Sequence, residues 1–94
     1  MPIYILLSRL SQQGIQTLQS NPDRLKEVNA DVEELGAKVL HQWATLVSFD
    51  FVSVVDAPDT ATVAKVSVRL GGRGSTRIET LPALTIDEFV DALG

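Results

Sequence analysis

His41 is the one histidine of the chain and the one side chain whose ordinary pKa lies near neutrality, so a reaction needing a general base would draw on it first. Glu79 is the second candidate base. It stands two residues from Arg77, and in an extended strand that spacing places both on one face, where a cation could anchor a carboxylate while its neighbour handles a proton. Trp43, the single tryptophan, offers a flat wall for a planar ligand, and Tyr4 and Phe51 are expected to join Trp43 and Arg77 on the ligand-binding face. Each has a plainer reading. His41 serves equally as an edge-strand residue in water or at a subunit contact, Trp43 as an interface anchor, and Arg77 with Glu79 as an exposed ion pair worth about 0 to 1 kcal/mol.

Two other constellations fail on geometry. Asp50 and Asp56 share a strand face, but along a strand they are roughly 20 Å apart, against the roughly 5 to 10 Å needed by paired glycosidase carboxylates. Gly71, Gly72 and Gly74 follow a helix C-terminus, where the dipole is negative, and so read as a helix stop rather than a phosphate cradle. Asp50, at a turn, is expected to bond backbone amides and fix the hairpin.

Composition narrows the chemistry further. There is no cysteine, which removes disulfides, thiol nucleophiles, thiolate zinc sites and iron–sulfur clusters, and a single histidine leaves a soft metal site short of ligands. No metal or other cofactor is expected. The formal net charge is −4 and the eight basic residues are scattered from Arg9 to Arg77, so neither a nucleic-acid backbone nor an anionic membrane finds a basic patch. The apolar run at residues 3–7 is too short to span a bilayer and lacks the charged leader and cleavage site of a signal peptide, so a cytoplasmic protein is expected. At 94 residues the chain fits one domain, residues 1–94.

The elements that would position these residues follow from periodicity. Residues 3–8 are apolar on both alternating sets, as in a strand buried on both faces. Ser11 can cap a helix carrying Ile15 and Leu18. Asn21-Pro22 supplies an N-cap with proline in first helical position, and Leu25, Val28, Val32 and Leu35 continue a stripe that Gly36 stops. One long helix, kinked or restarted at Pro22, is predicted. Its other side, with Glu27, Asp31 and Glu34, is a solvated acidic face.

Residues 39–46 and 50–56 read as an antiparallel hairpin. Leu40, Ala44 and Leu46 would face the helices, with His41, Trp43 and Thr45 on the other side. Two registers are open: one sets Thr45 against Phe51, Trp43 against Ser53 and His41 against Val55, and a slip of one residue sets His41 against Asp56 as an acid–base dyad. Pro58-Asp59 opens a helix with Val63, Val66 and Leu70 on one face, and residues 75–81 form a fourth strand. Thr85 with Glu88 makes a capping box for a terminal helix carrying Phe89, Val90 and Leu93.

The order is that of the βαββαβ ferredoxin-like fold, an α+β antiparallel sheet with helices on one face and a short C-terminal helix added. The first and third strands are central in that fold, and here they are the most uniformly apolar. Helices can cover only one sheet face, so the second needs another cover, and face-to-face pairing with an identical sheet would provide it.

The segments Pro2-Ile3-Tyr4-Ile5-Leu6-Leu7, Gln13-Gly14-Ile15, Thr45-Leu46-Val47-Ser48-Phe49-Asp50-Phe51-Val52, Asp56-Ala57-Pro58-Asp59 and Thr76-Arg77-Ile78-Glu79-Thr80-Leu81 together resemble the GYD domain family. The resemblance covers nearly the whole chain and implies a dimeric α/β barrel. The family's glycine, tyrosine and aspartate fall on Val47, Phe49 and Asp50 here, so only the aspartate is kept and a role requiring the tyrosine hydroxyl is lost. Distant relatives of that fold include cofactor-independent monooxygenases, isomerases and dehydratases as well as ligand binders, among which fold alone does not choose.

Three functions are therefore weighed. The first is a small homo-oligomeric ligand-binding or accessory protein, with a small molecule held in a void of a few hundred cubic ångströms. The second is a cofactor-independent enzyme on a small aromatic or carboxylate metabolite, using His41 or Glu79 as base, Arg77 as anchor and Trp43 as stacking wall. The third is a purely structural assembly module.

Overall fold

The computed structural model describes residues 2–74 and 76–94. Strand β1 (Ile3–Leu10) leads into helices α1 (Gln12–Ser20) and α2 (Arg24–Glu34), followed by the strands β2 (Lys38–Ala44) and β3 (Phe51–Asp56). Helix α3 (Thr60–Gly71), strand β4 (Thr76–Ala83) and helix α4 (Ile86–Leu93) complete the chain. Ser75, with which the expected fourth strand begins, lies outside the described residues. The sheet order is β2-β3-β1-β4 and every neighbouring pair is antiparallel, which is the ferredoxin-like arrangement with β1 and β3 central.

Local chemistry explains the helix ends. The Ser11 hydroxyl caps α1 by accepting from the Gly14 amide at 3.1 Å, and it donates to the Gly74 carbonyl at 2.7 Å. Of the two forms expected at Pro22, a kink or a restart, the structure shows the restart, with α1 and α2 as separate helices. Proline has no N–H to continue the ladder and its ring forces the preceding residue out of the helical region, so Asn21 (φ −144°, ψ 81°) closes α1. Asn21 is therefore not the N-cap of α2, which restarts at Arg24 after Asp23. Gly36, at φ +105°, ends α2 as expected. Asp59 caps α3 through the Thr62 amide, and Thr85 and Glu88 form the reciprocal capping box of α4.

The core lies between the sheet and the helices. Tyr4, Leu6 and Val55 of the sheet bury against Val32 of α2 and Val63, Val66 and Leu70 of α3. In an antiparallel pair, directly opposed residues share a face, so Phe51 and Ser53, on the same side of β3 as Val55, also face the helices. Tyr4 and Phe51 thus stand on the helix side, whereas Trp43 and Arg77 stand on the other. The four do not line one face. Tyr4 is only 4% exposed and its hydroxyl is 2.9 Å from Thr60 Oγ1 at the start of α3.

The hairpin takes neither expected register. The Thr45 amide bonds the Asp50 carbonyl at 2.8 Å, closing a turn that sets Ala44 opposite Phe51 and Trp43 opposite Val52. An odd change of register exchanges the faces of one strand relative to the other, which is why Phe51 points to the helices. The same register places His41 opposite Val54, and beyond it a bulge between Val39 and His41 shifts the pairing, placing Val39 opposite Val55 and Lys38 opposite Asp56. The His41–Asp56 dyad does not form. Of the three residues expected toward the helices, Leu40 falls in the bulge and Leu46 in the exposed turn, while Ala44 keeps the helix-side phase at the open end of the strand.

Candidate functional site

The sheet face turned away from α1 to α3 has rows set by strand register. One row runs His41, Val54, Ile5, Leu81, and the next Trp43, Val52, Leu7, Glu79. Ile5, Leu7, Val52 and Val54 form an apolar centre that is only half-buried, and Trp43 at the rim is 53% exposed. The His41 and Trp43 rings stack at 5.5 Å with 7° between their planes, as neighbours two residues apart on a strand face can.

One end of this face is cationic. Arg9 and Arg77 are directly opposed on β1 and β4, a like-charge pair that disfavours the isolated sheet. Arg9 lies over the Phe49 ring at 4.8 Å, and among the described residues neither arginine forms an ion pair. An acidic group brought by whatever covers the face would relieve that repulsion.

The proposed catalytic groups are spread across the sheet. His41 is on the β2 edge and Glu79 and Arg77 on the β4 edge, separated by three inter-strand steps, or about 14 Å. Arg77 and Glu79 remain adjacent on β4, both exposed, and neither lines a cavity. Within one chain, among the described residues, this is a broad open surface on which His41 stands far from Arg77 and Glu79.

A hollow partly open to solvent lies on the other side of the sheet. A cavity of about 100 Å³ sits between α1, α2 and the sheet, smaller than the few hundred cubic ångströms expected, and of the four expected lining residues only Phe51 borders it. Gln42, Asn29 and Ser53, which sequence reasoning passed over, form a hydrogen-bonded strip there: the Gln42 and Asn29 amides pair reciprocally at 2.8 and 3.3 Å, and Gln42 Nε2 donates to Ser53 Oγ at 3.1 Å. The usable signal was Ser53, a polar residue inside the apolar strand 51–55, since a buried hydroxyl needs a partner.

The other element passed over is the face of α4. Ile86, Val90 and Leu93 are largely exposed, Phe89 is 49% exposed, and no residue of the helix is buried. The radius of gyration, 14.0 Å, exceeds the about 12 Å of a compact domain of this length, in keeping with an element held away from the core.

At the hairpin tip, Val47 adopts φ +77°, a conformation that suits glycine. Asp50, as expected, bonds a backbone amide, accepting from Leu10 at 2.8 Å, while the Thr45 hydroxyl donates to the Phe49 carbonyl at 2.6 Å. No helix among the described residues is long and apolar enough to cross a membrane.

Comparison with known proteins adds to this geometry. A Thermus thermophilus protein named "Glutamine synthetase and cystathionine beta-lyase binding protein" is 44% identical over 94 residues, which is 99% of each chain. A crystal structure of a protein from the same organism superposes with a TM-score of 0.57 at 22% identity, covering 90% of this chain and 95% of its own, and supports the fold. A dimeric ferredoxin-like protein from an uncultured marine organism is more remote, with a TM-score of 0.45 and 8% identity over 92% of this chain and 95% of its own. The GYD domain model matches residues 4–93, and the chain belongs to the GYD domain family.

Proposed function

We propose that this protein is a cytoplasmic accessory protein that binds a metabolic enzyme, with glutamine synthetase as the first candidate and cystathionine beta-lyase as the second. The observation that carries the reading is the 44% identity, over 99% of both chains, to a protein named for binding those two enzymes. The exposed arrangement of His41, Arg77 and Glu79 is in keeping with a surface that recognises rather than transforms.

In the same reading the protein acts as a homodimer. The second copy covers the open sheet face, burying Ile5, Leu7, Val52 and Val54 and placing Trp43 and Arg77 in the contact. Two features support an identical partner: the apolar centre is flanked by Arg9 and Arg77, which form no ion pair among the described residues, and α4 carries an exposed apolar stripe beside Asp87, Glu88 and Asp91. A copy laid across the sheet would bring apolar surface together with acids suited to those arginines.

Both parts are tested on purified protein. Immobilised protein should bind glutamine synthetase or cystathionine beta-lyase of its own organism saturably, and should ignore an unrelated enzyme of similar size. Absence of binding to both would overturn the accessory reading. Light scattering should give twice the chain mass, with Leu7→Asp shifting it toward one; a folded wild-type monomer at micromolar concentration would overturn the pairing.

A further inference from the structure

We propose that the cavity between the helix layer and the sheet is a binding site for a small uncharged molecule, mainly apolar with one hydrogen-bonding group, of the class of short alcohols. This inference is independent of the enzyme-binding reading.

The cavity arises from uneven helix packing. Helix α3 buries Val63, Val66 and Leu70, whereas α1 buries only Gly14 and α2 only Val32. The half of the sheet beneath α1 and α2 is therefore loosely covered, and a gap of about 100 Å³ remains. Its walls are mostly apolar, with Leu6, Leu18, Leu25, Val28, Phe51 and Ile78 among them. Protein interiors seldom leave such a space, because each unfilled wall forgoes its dispersion contacts.

Polar residues interrupt this lining, and two of their buried hydroxyls, those of Ser53 and Thr76, are short of partners among the described residues. Ser53 is 5% exposed; its Oγ accepts from Gln42, and its own proton has no acceptor among the described residues. Thr76 borders the same cavity, and its Oγ1 is buried without a partner among the described residues. Buried hydroxyls left unpaired are unfavourable, so each offers a hydrogen bond to whatever enters. The Gln42–Asn29 pair fixes the Ser53 side of this polar strip.

Charge and size set the ligand class. The charged residues bordering the cavity are Arg24 and Arg73, and both are engaged: Arg24 with Glu27 at 3.0 Å and Arg73 with Asp31 at 2.9 Å. No cation is left to neutralise a carboxylate or phosphate, which favours a neutral occupant. An apolar cavity of about 150 Å³ holds benzene, so this one, at about 100 Å³, suits a molecule of about four heavy atoms.

The test is a methyl-resolved NMR titration of the full chain with 2-propanol and, separately, with isobutane dissolved under pressure, matched in size but without the hydroxyl. 2-Propanol should shift the methyls of Leu25, Val28 and Ile78 saturably and bind more tightly than isobutane. Thr76→Val, nearly isosteric, should weaken 2-propanol about 2- to 10-fold and leave isobutane unchanged. Val28→Phe, which fills the gap, should abolish both; if it does not fold, the Thr76→Val comparison decides alone. No saturable shift with either probe, or shifts confined to Ile5, Val52 and Val54 on the open face, would overturn the proposal. So would a crystal soaked in 2-propanol that shows only ordered water on Ser53 and Thr76.

Discussion

The carboxylate of Asp50 accepts a hydrogen bond from the Leu10 amide at 2.8 Å, tying the β2–β3 turn to the end of central strand β1. The Asp50 amide also donates to the Ser8 carbonyl at 2.8 Å, so one residue holds the turn through both backbone and side chain. Asp50→Ala leaves the Leu10 amide without its charged acceptor in a partly buried place, and the expected loss is about 1 to 2 kcal/mol. Asp50→Asn, which keeps an acceptor, should lose less. Urea denaturation of the three proteins measures the difference, and equal midpoints for wild type and Asp50→Ala would show that the bond contributes nothing.

Three residues earlier, Val47 holds φ +77° with its side chain wholly in solvent. A β-branched residue in the left-handed region is strained by about 1 to 2 kcal/mol, while glycine there loses about 0.5 to 1 kcal/mol more chain entropy on folding. The expected net effect of Val47→Gly is stabilisation of about 0.5 to 1 kcal/mol, since no packing is lost. Val47→Ala, which keeps a Cβ, should gain less. A rise in the urea midpoint for the glycine variant, with the alanine variant between it and wild type, is the result that supports the strain.

Tyr4 and Trp43 provide a contrast between the two sheet faces. Tyr4→Phe removes the bond to Thr60 Oγ1 and should cost about 0.5 to 1.5 kcal/mol without altering association. Trp43→Ala removes an exposed aromatic from the open face and should affect monomer stability little while weakening self-association. Thermal melts and sedimentation velocity separate the two quantities. The reverse pattern, with Tyr4 governing association and Trp43 only stability, would mean that the helix side rather than the open side is the contact.

Much of this architecture was legible from residue order. The doubly apolar runs of β1 and β3 marked the central strands, Pro58-Asp59 with Val63, Val66 and Leu70 marked α3, and Thr85 with Glu88 marked α4. What escaped is information about phase. Whether Phe51 faces helix or solvent depends on how the turn closes, and that is decided by Thr45 bonding to Asp50 rather than by any alternation within either strand. The bulge at Leu40 is similarly invisible to a two-residue period. It lets Val39 and Gln42 both face inward, where Gln42 meets Asn29 and Ser53 from distant parts of the chain. The cavity could not be read either, since it reflects the small buried contribution of α1, a helix whose apolar spacing looked sufficient.

Acid should weaken the fold through its helix caps. The Thr62 hydroxyl, and after it the Thr62 amide, donate to Asp59 and hold its carboxyl below the ordinary value of 3.8. Glu88 is likewise held below 4.5, by the Thr85 amide first and the Thr85 hydroxyl second. In the unfolded chain both carboxyls regain ordinary values and so bind protons earlier on acidification. Their contribution is therefore complete above the ordinary values and is lost as pH falls through the lower folded ones. Between pH 7 and 5 these caps should give a flat profile, and below about pH 4.5 the melting temperature should fall. Asp59→Asn keeps a capping acceptor but cannot titrate, so its melting temperature should start lower at pH 7 and converge on wild type toward pH 3. Melting curves that stay parallel across that range would show that the Asp59 cap draws nothing from its charge.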